Sequence, residues 1–387
     1  MNELRAILDE LTQIRAGDEP AVLATVVRVL GSAYRGIGAR RLINRDGPAI
    51  GLVSGGCLEA DIARQAWRLT EGGKAALIRY DSVDSDGEWT FGLGCRGTID
   101  ILLERIDGTR PTAWINYLRA HLDEHEPSVL ARVLASDAGT AAARLGSFLA
   151  VGSSAAPIHD LASPDLAGRL AAAARDALRS GRSGHATLAT DAGRVTALLE
   201  VIEPPPTLLA CGVGPDVLPL VRMARELGWH IAVIAGRNQA ATRGRFAAAD
   251  EVLTLADEGR IRALASHRRA AAVLMTHNIG EDARFLDLLV RSSVGYIGLL
   301  GPKHRADRLL DRLDPLDAST RIRLHAPVGL DLGAETPAEI ALSIMAEIQA
   351  ELAGRSGGPL RDRGRPIHDR SDHSSLEASS TAMMADH

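Results

Sequence analysis

Pro204-Pro205-Pro206 is the tightest constraint on how this chain of 387 residues can fold. Three successive prolines cannot continue a helix interior or donate to a sheet ladder, so they form a stiff, extended connector. Beyond them, apolar strands alternate with amphipathic helices: Thr207 to Cys211, Val217 to Leu227, His230 to Ala235, Ala271 to Thr276 and Gly295 to Gly301. Such alternation predicts a parallel sheet covered by helices. Its opening segment, Leu208-Leu209-Ala210-Cys211-Gly212-Val213-Gly214, runs from a strand through two glycines into a helix. Gly212 suits a tight turn, and Gly214 lets backbone approach a phosphate at the helix N-terminus. The fold class is α/β, with a Rossmann-like parallel-sheet domain over 204–352.

Two features separate this domain from an ordinary NAD site. Val217 stands where a third glycine is usual, and the next strand ends in Ala235-Gly236-Arg237 with no carboxylate for a ribose diol. Arg237 offers a guanidinium for a phosphate or a ring face instead. A phosphate-bearing ligand and an empty or repurposed site both fit, and NAD(P)-dependent oxidoreduction is the alternative function. Cys211 reads as a small buried hydrophobe. Gly298 and Gly301 lead into Lys303 and Arg305 at a helix start, which is either an anion cradle or a solvated basic turn. His277 and Asp282 follow a strand's carboxyl end, where open α/β sheets hold ligands; loop and cap hydrogen bonding is their plainer account. Thr336-Pro337-Ala338-Glu339 spells a capping box, and Ile340, Ile344 and Ile348 then lie on one helical stripe.

Before the prolines, Leu4, Ile7, Leu8, Leu11 and Ile14 predict a helix over 3–16. Ala21 to Leu30 reads as a buried strand, and Arg45-Asp46-Gly47 as the turn of a hairpin. A helix over 58–69 and strands over 74–80 and 98–104 complete an N-terminal α/β domain, 1–108, with a small mixed sheet. Residues 109–203 read as a middle extension and proline-rich linker, with strands at Ser128 to Leu134 and Arg194 to Val201 and an alanine-rich helix at Ala171 to Leu178. Over 353–387 apolar residues give way to Gly, Arg, Ser and Asp, a composition that predicts disorder.

Cys57 lies in Ser54-Gly55-Gly56-Cys57-Leu58-Glu59, a glycine loop opening into a helix, where N–H groups and the macrodipole favour an anion such as a thiolate. Cys95 occupies a second glycine-rich run, Gly92 to Gly97. Three cysteines in all argue against a disulfide framework and for a reducing, cytoplasmic setting. A net charge of −5 and 3% aromatics give no reason to expect nucleic acid as partner. No apolar run reaches membrane-spanning length, and the N-terminus lacks a signal-peptide block. The Gly31-to-Arg40 loop gathers hydroxyl, guanidinium and free N–H groups, the chemistry of phosphate handling, and leaves the same small sheet as the Cys57 loop.

At these residues the chain resembles the xanthine dehydrogenase accessory protein family (XdhC/CoxI). The matching segments are Gly31-Ser32 with Arg35 and Gly38-Ala39-Arg40, Ser54 to Glu59, and Gly94-Cys95. In the second domain they are Gly212-x-Gly214, Thr276-His277-Asn278 with Asp282, Tyr296 to Gly301, and Ala326 to Gly333 through Ser343-Ile344. The resemblance implies a maturation factor, not itself an enzyme. It would bind molybdenum cofactor, as molybdopterin or its dinucleotide form, support its sulfuration, and insert it into an apo molybdenum hydroxylase of the xanthine or carbon monoxide dehydrogenase type. A sulfur donor such as a cysteine desulfurase is the further partner, and a homodimer the default assembly. On this reading Cys57 contacts molybdenum or hands on sulfur, with Cys95 second. Ser32, Arg35, Gly38, Arg40, Gly55, Gly56 and Glu59 hold the cofactor, and Gly212, Gly214, Arg237, His277, Asp282, Gly298, Gly301 and Lys303 form the second domain's candidate contacts.

Overall fold

The computed structural model describes residues 2–16, 20–31, 33–81, 97–107, 112–137, 143–153, 155–190, 193–236, 243–311, 317–364 and 376–377. The chain divides between Pro204 and Pro205 into two compact units.

The first unit opens with α1 (Asn2–Ala16), β1 (Ala21–Gly31), β2 (Arg40–Asn44), β3 (Ile50–Gly51), α2 (Glu59–Leu69), β4 (Ala76–Asp81) and β5 (Gly97–Ile106). Their sheet has the order β3-β2-β1-β5-β4. Every pair in it is antiparallel, where the sequence suggests a mixed sheet. The reason is the crossover: α2 carries the chain from one edge strand, β3, to the opposite edge, β4, and never to a neighbour. Val22, Ala24 and Val26 alternate onto one face of β1, where they pack with Leu58, Ile62 and Ala66 of the α2 region.

Residues 109–203 supply α3 (Ala113–Asp123), β6 (Ser128–Ser136), β7 (Phe148–Gly152), β8 (Ile158–His159), α4 (Pro164–Ser180), β9 (Gly184–Thr190) and β10 (Gly193–Ile202). Strands β9-β10-β6-β7-β8 make a second sheet, and Leu376–Glu377 adds a short parallel edge beside β9. The Ser163 hydroxyl starts α4 by accepting from the Leu166 N–H, and Gly181 at φ 65° ends it in the left-handed region. Leu166, Leu170, Ala174 and Ala177 of α4 then bury against Val129, Ala131, Val133 and Leu149.

The other face of this sheet meets the first one. Val27 and Leu102 from one sheet share a buried cluster with Leu134 and Leu198 from the other. The segment read as an extension is therefore half of a layered unit: helix, sheet, sheet, helix. Two ion pairs cross the seam, Arg40–Glu200 at 2.5 Å and Arg132–Glu104 at 3.2 Å, with every side chain 10% exposed or less.

The second unit comprises β11 (Thr207–Cys211), α5 (Val217–Glu226), β12 (His230–Ala235), β13 (Glu251–Thr254), α6 (Glu258–Ala265), β14 (Ala270–Leu274), α7 (Ile279–Val290), β15 (Tyr296–Leu299), α8 (Lys303–Leu310), α9 (Ala318–Ile322), β16 (Leu324–His325) and α10 (Pro337–Leu352). Its six strands are all parallel, in the order β13-β12-β11-β14-β15-β16. That is the 3-2-1-4-5-6 order of dinucleotide-binding sheets, whose switch point lies between β11 and β14. Helices α5 and α10 cover one face, and α6, α7 and α8 the other. The capping box at Thr336 and Glu339 is formed, with Pro337 in the first turn.

The disorder expected for 353–387 falls mainly on residues 365–375 and 378–387, which lie outside the described residues. Among the described residues no helix is long and apolar enough to cross a membrane.

Candidate functional site

Cys57 stands on a loop fastened from beneath. Glu59, the first residue of α2, turns its carboxylate back to accept the Val53 N–H at 3.2 Å and the Ser54 N–H at 2.8 Å. It also takes a short hydrogen bond from the Ser54 hydroxyl. The Ser54 oxygen in turn accepts from the N–H groups of Gly56 and Leu58, each at 3.2 Å. Burial pushes the Glu59 carboxyl up, but the hydroxyl and N–H donors of Ser54 and the Val53 N–H outweigh it and hold the group below the usual carboxylate range. Ser54 and Glu59 are buried, whereas Gly55, Gly56 and Cys57 are exposed. The Cys57 thiol donates to the Ser54 oxygen at 3.5 Å.

The Gly31–Gly38 loop comes up against this one. The ring of Tyr34, 65% exposed, lies 3.5 Å from where a Gly55 Cβ would be. Arg35 is placed by α1, its Nη2 bonded to both carboxylate oxygens of Glu3 at 3.0 Å. Glu3 also accepts the Leu52 N–H at 3.3 Å, so α1 ties the two loops together. The structure thus brings Arg35, Gly55, Gly56, Cys57 and Glu59 into one neighbourhood.

Arg40 and Gly38 do something else. The Arg40 guanidinium, read from sequence as a cofactor contact, spends its donors on Glu200 and on the Gly38 carbonyl at 2.9 Å. Gly38 has φ 86°, and a Cβ there would lie 2.5 Å from Glu200 Oε1. A buried guanidinium already matched to a carboxylate belongs to the seam between sheets, not to an open anion cradle. Ser32 and Cys95 lie outside the described residues.

In the second unit, Asp282 is buried and accepts from the Thr276 hydroxyl at 2.5 Å and from Arg305 at 2.6 Å. It therefore clasps α7, α8 and the end of β14, leaving Arg305 unavailable as a loose basic turn. His277, at φ 28°, sets Nε2 3.2 Å from Asp216 Oδ2. Asn278 caps α7 through the N–H groups of Gly280 and Glu281. Gly212, at φ 139°, allows close approach: a Cβ there would sit 2.7 Å from the Met275 carbonyl. Gly298 makes room for Val328 and Gly301 for the Arg305 stem, while Lys303 is exposed at the start of α8. Arg237 lies outside the described residues. Cys211 is fully buried, and burial pushes its thiol well above the ordinary range.

Sequence reasoning passed over Ser54, Glu200, Asp216 and Glu281. Ser54 and Asp216 carried a local signal, each a capping-type side chain just ahead of a helix start. Glu200 sits mid-strand, and its partner is visible only once the two sheets meet. Among the described residues no three His, Cys, Asp or Glu side chains are grouped to hold a metal ion.

Together these features define a two-part α/β protein, with an exposed cysteine loop on a two-sheet unit and a dinucleotide-type parallel sheet in the other. The chain belongs to the XdhC and CoxI family: residues 14–81 match that family, and residues 208–348 match the XdhC Rossmann domain. It is similar to a probable xanthine dehydrogenase subunit of Bacillus subtilis (strain 168), with 32% identity over 354 residues, 90% of this chain and 97% of that one. Over 107 residues it is 33% identical to the molybdenum cofactor insertion chaperone PaoD of Escherichia coli (strain K12), covering 28% of this chain and 33% of that protein. The crystal structure of a xanthine dehydrogenase from Bacillus halodurans superposes with a TM-score of 0.70 at 28% identity, over 90% of this chain and 96% of that one.

Proposed function

We propose that this protein binds molybdenum cofactor, supports its sulfuration, and inserts it into a molybdenum hydroxylase of the xanthine or carbon monoxide dehydrogenase type. The observation that carries this reading is the exposed Cys57 thiol on a loop braced by Ser54 and Glu59 and flanked by Tyr34 and Arg35. A relative named as a molybdenum cofactor insertion chaperone and others named for xanthine dehydrogenase support it.

The donor set fits a cargo that has to leave. One exposed sulfur offers a soft contact to molybdenum, or a carrier for sulfur, without the several ligands of a resident metal centre. The rigid pedestal fixes where the sulfur stands, so little ordering remains for binding to oppose. Arg35, shared with Glu3, is a cation beside this loop that can meet the cofactor phosphate. The apo hydroxylase and a sulfur donor such as a cysteine desulfurase are the partners this function needs. A homodimer and a cytoplasmic location complete the reading.

The test is elemental and pterin analysis of protein isolated from a molybdenum-replete host, for the unaltered chain and for Cys57→Ala. Molybdenum and pterin fluorescence should accompany the unaltered chain and fall at least about tenfold with the variant. Reduced-nicotinamide absorbance in place of pterin would instead favour the oxidoreductase. Equal target activity in cells with Cys57→Ala would remove the cysteine from the function.

A further inference from the structure

The strand order puts the second unit's ligand edge at the carboxyl ends of β11, β12 and β14. One group there has no role in the fold or in the function proposed above. Glu281, in the first turn of α7, is 8% exposed, and its Oε2 has no hydrogen-bond partner among the described residues. Its carboxyl group lies against Gly236, the residue after β12. A Cβ on Gly236 would sit 2.1 Å from Oε2 and 2.4 Å from Oε1. Glycine is thus required at 236 to leave the space this carboxyl fills. The acid that β12 lacks at its own end is delivered there by a different helix.

The glycine turn beside it is furnished differently. Asp216 Oδ1 is buried without a partner among the described residues and lies 2.1 Å from where a Gly214 Cβ would be, while Oδ2 faces His277. A diphosphate drawn to that turn would meet a carboxylate where dinucleotide sites present only backbone N–H groups.

We propose that this edge binds a free ribonucleoside through its ribose, Glu281 accepting from the vicinal 2′- and 3′-hydroxyls, with no gain in affinity from a 5′-diphosphate. A buried carboxylate oxygen without a donor is costly, and a vicinal diol supplies two O–H donors to one carboxylate. Asp216 accounts for the second half, because it occupies the phosphate side of the edge with negative charge. The inference goes beyond the cargo reading and does not depend on it.

The experiment is titration calorimetry on the full chain with adenosine, guanosine, cytidine and uridine, their 2′,3′-dideoxy forms and their 5′-diphosphates. At least one ribonucleoside should bind, its dideoxy form should bind at least about tenfold more weakly, and its diphosphate no more tightly. Glu281→Gln should weaken that ribonucleoside at least about tenfold, and Cys57→Ala should leave it unchanged, which separates this site from the cargo site. The dideoxy comparison uses the unaltered chain, so an unstable variant does not spoil the test. The proposal is overturned if none of the four ribonucleosides binds, if a dideoxy form binds as well as its parent, or if a diphosphate binds about tenfold tighter.

Discussion

Arg40 and Glu200 close a two-pronged ion pair across the seam between the two sheets of the first unit, at 2.8 and 2.5 Å, from positions 160 residues apart. Their side chains are only 6% and 10% exposed, so neither charge has water to fall back on. Removing one partner should therefore be far worse than removing both. Arg40→Ala or Glu200→Ala is expected to lower unfolding stability by about 3–5 kcal/mol, and the apolar pair Arg40→Met with Glu200→Leu by much less. Urea unfolding of the three variants decides it; single variants within about 1 kcal/mol of the unaltered chain would contradict the account.

The thiols at 57 and 211 should differ sharply in reactivity. Cys57 is exposed, whereas Cys211 is fully buried with its thiol pushed up by burial. Under native conditions an alkylating reagent, with peptide mapping by mass spectrometry, should label Cys57 and leave Cys211 until the protein unfolds. Early labelling of Cys211 would mean that β11 opens readily.

The Cys57 loop should weaken in acid. Glu59 titrates below its ordinary value of 4.5, so its folded-state pKa is depressed. Its stabilising share is complete above that value and disappears as pH falls through the lower folded one. Labelling of Cys57 should accelerate across that window. Glu59→Gln should flatten the acid response and cost about 1–3 kcal/mol at neutral pH, because Ser54 and two N–H groups lose a charged acceptor. A pH profile identical in the variant would show that Glu59 does not govern the loop.

Gly212→Ala offers a check on the second unit. The residue sits at φ 139°, and an added Cβ would meet the Met275 carbonyl at 2.7 Å. A loss of about 1–3 kcal/mol is expected, read as a lower urea midpoint for that unit. A neutral substitution would show that the turn between β11 and α5 is softer than its geometry implies.

Much of this was legible from local pattern. The alternation after the prolines announces β11, α5 and β12, because a strand buried on both faces is an unbroken apolar run such as Leu208-Leu209-Ala210. The Cys57 loop announces itself through its glycines and through the helical stripe that follows. What stayed hidden depends on distant partners. β7, Phe148–Gly152, is an apolar run as short as β11 but lies outside the strand–helix alternation, and it gains its identity by pairing with β6 and β8. Arg40 reads as a cofactor contact until Glu200 arrives, and Glu281 carries no local mark of a site until α7 is laid over the end of β12. Chemistry written in one segment was readable; chemistry completed by another strand or helix was not.

The seam between the two sheets also decides where this chain can be cut. A fragment stopped at residue 108, after the last strand of the cysteine-bearing sheet, would keep Val27, Leu102, Arg40 and Glu104 while discarding Leu134, Leu198, Glu200 and Arg132 across the seam. It would present a raw apolar wall studded with two stranded charges, an invitation to aggregate. The shortest piece that could carry Cys57 in its native setting runs to the prolines.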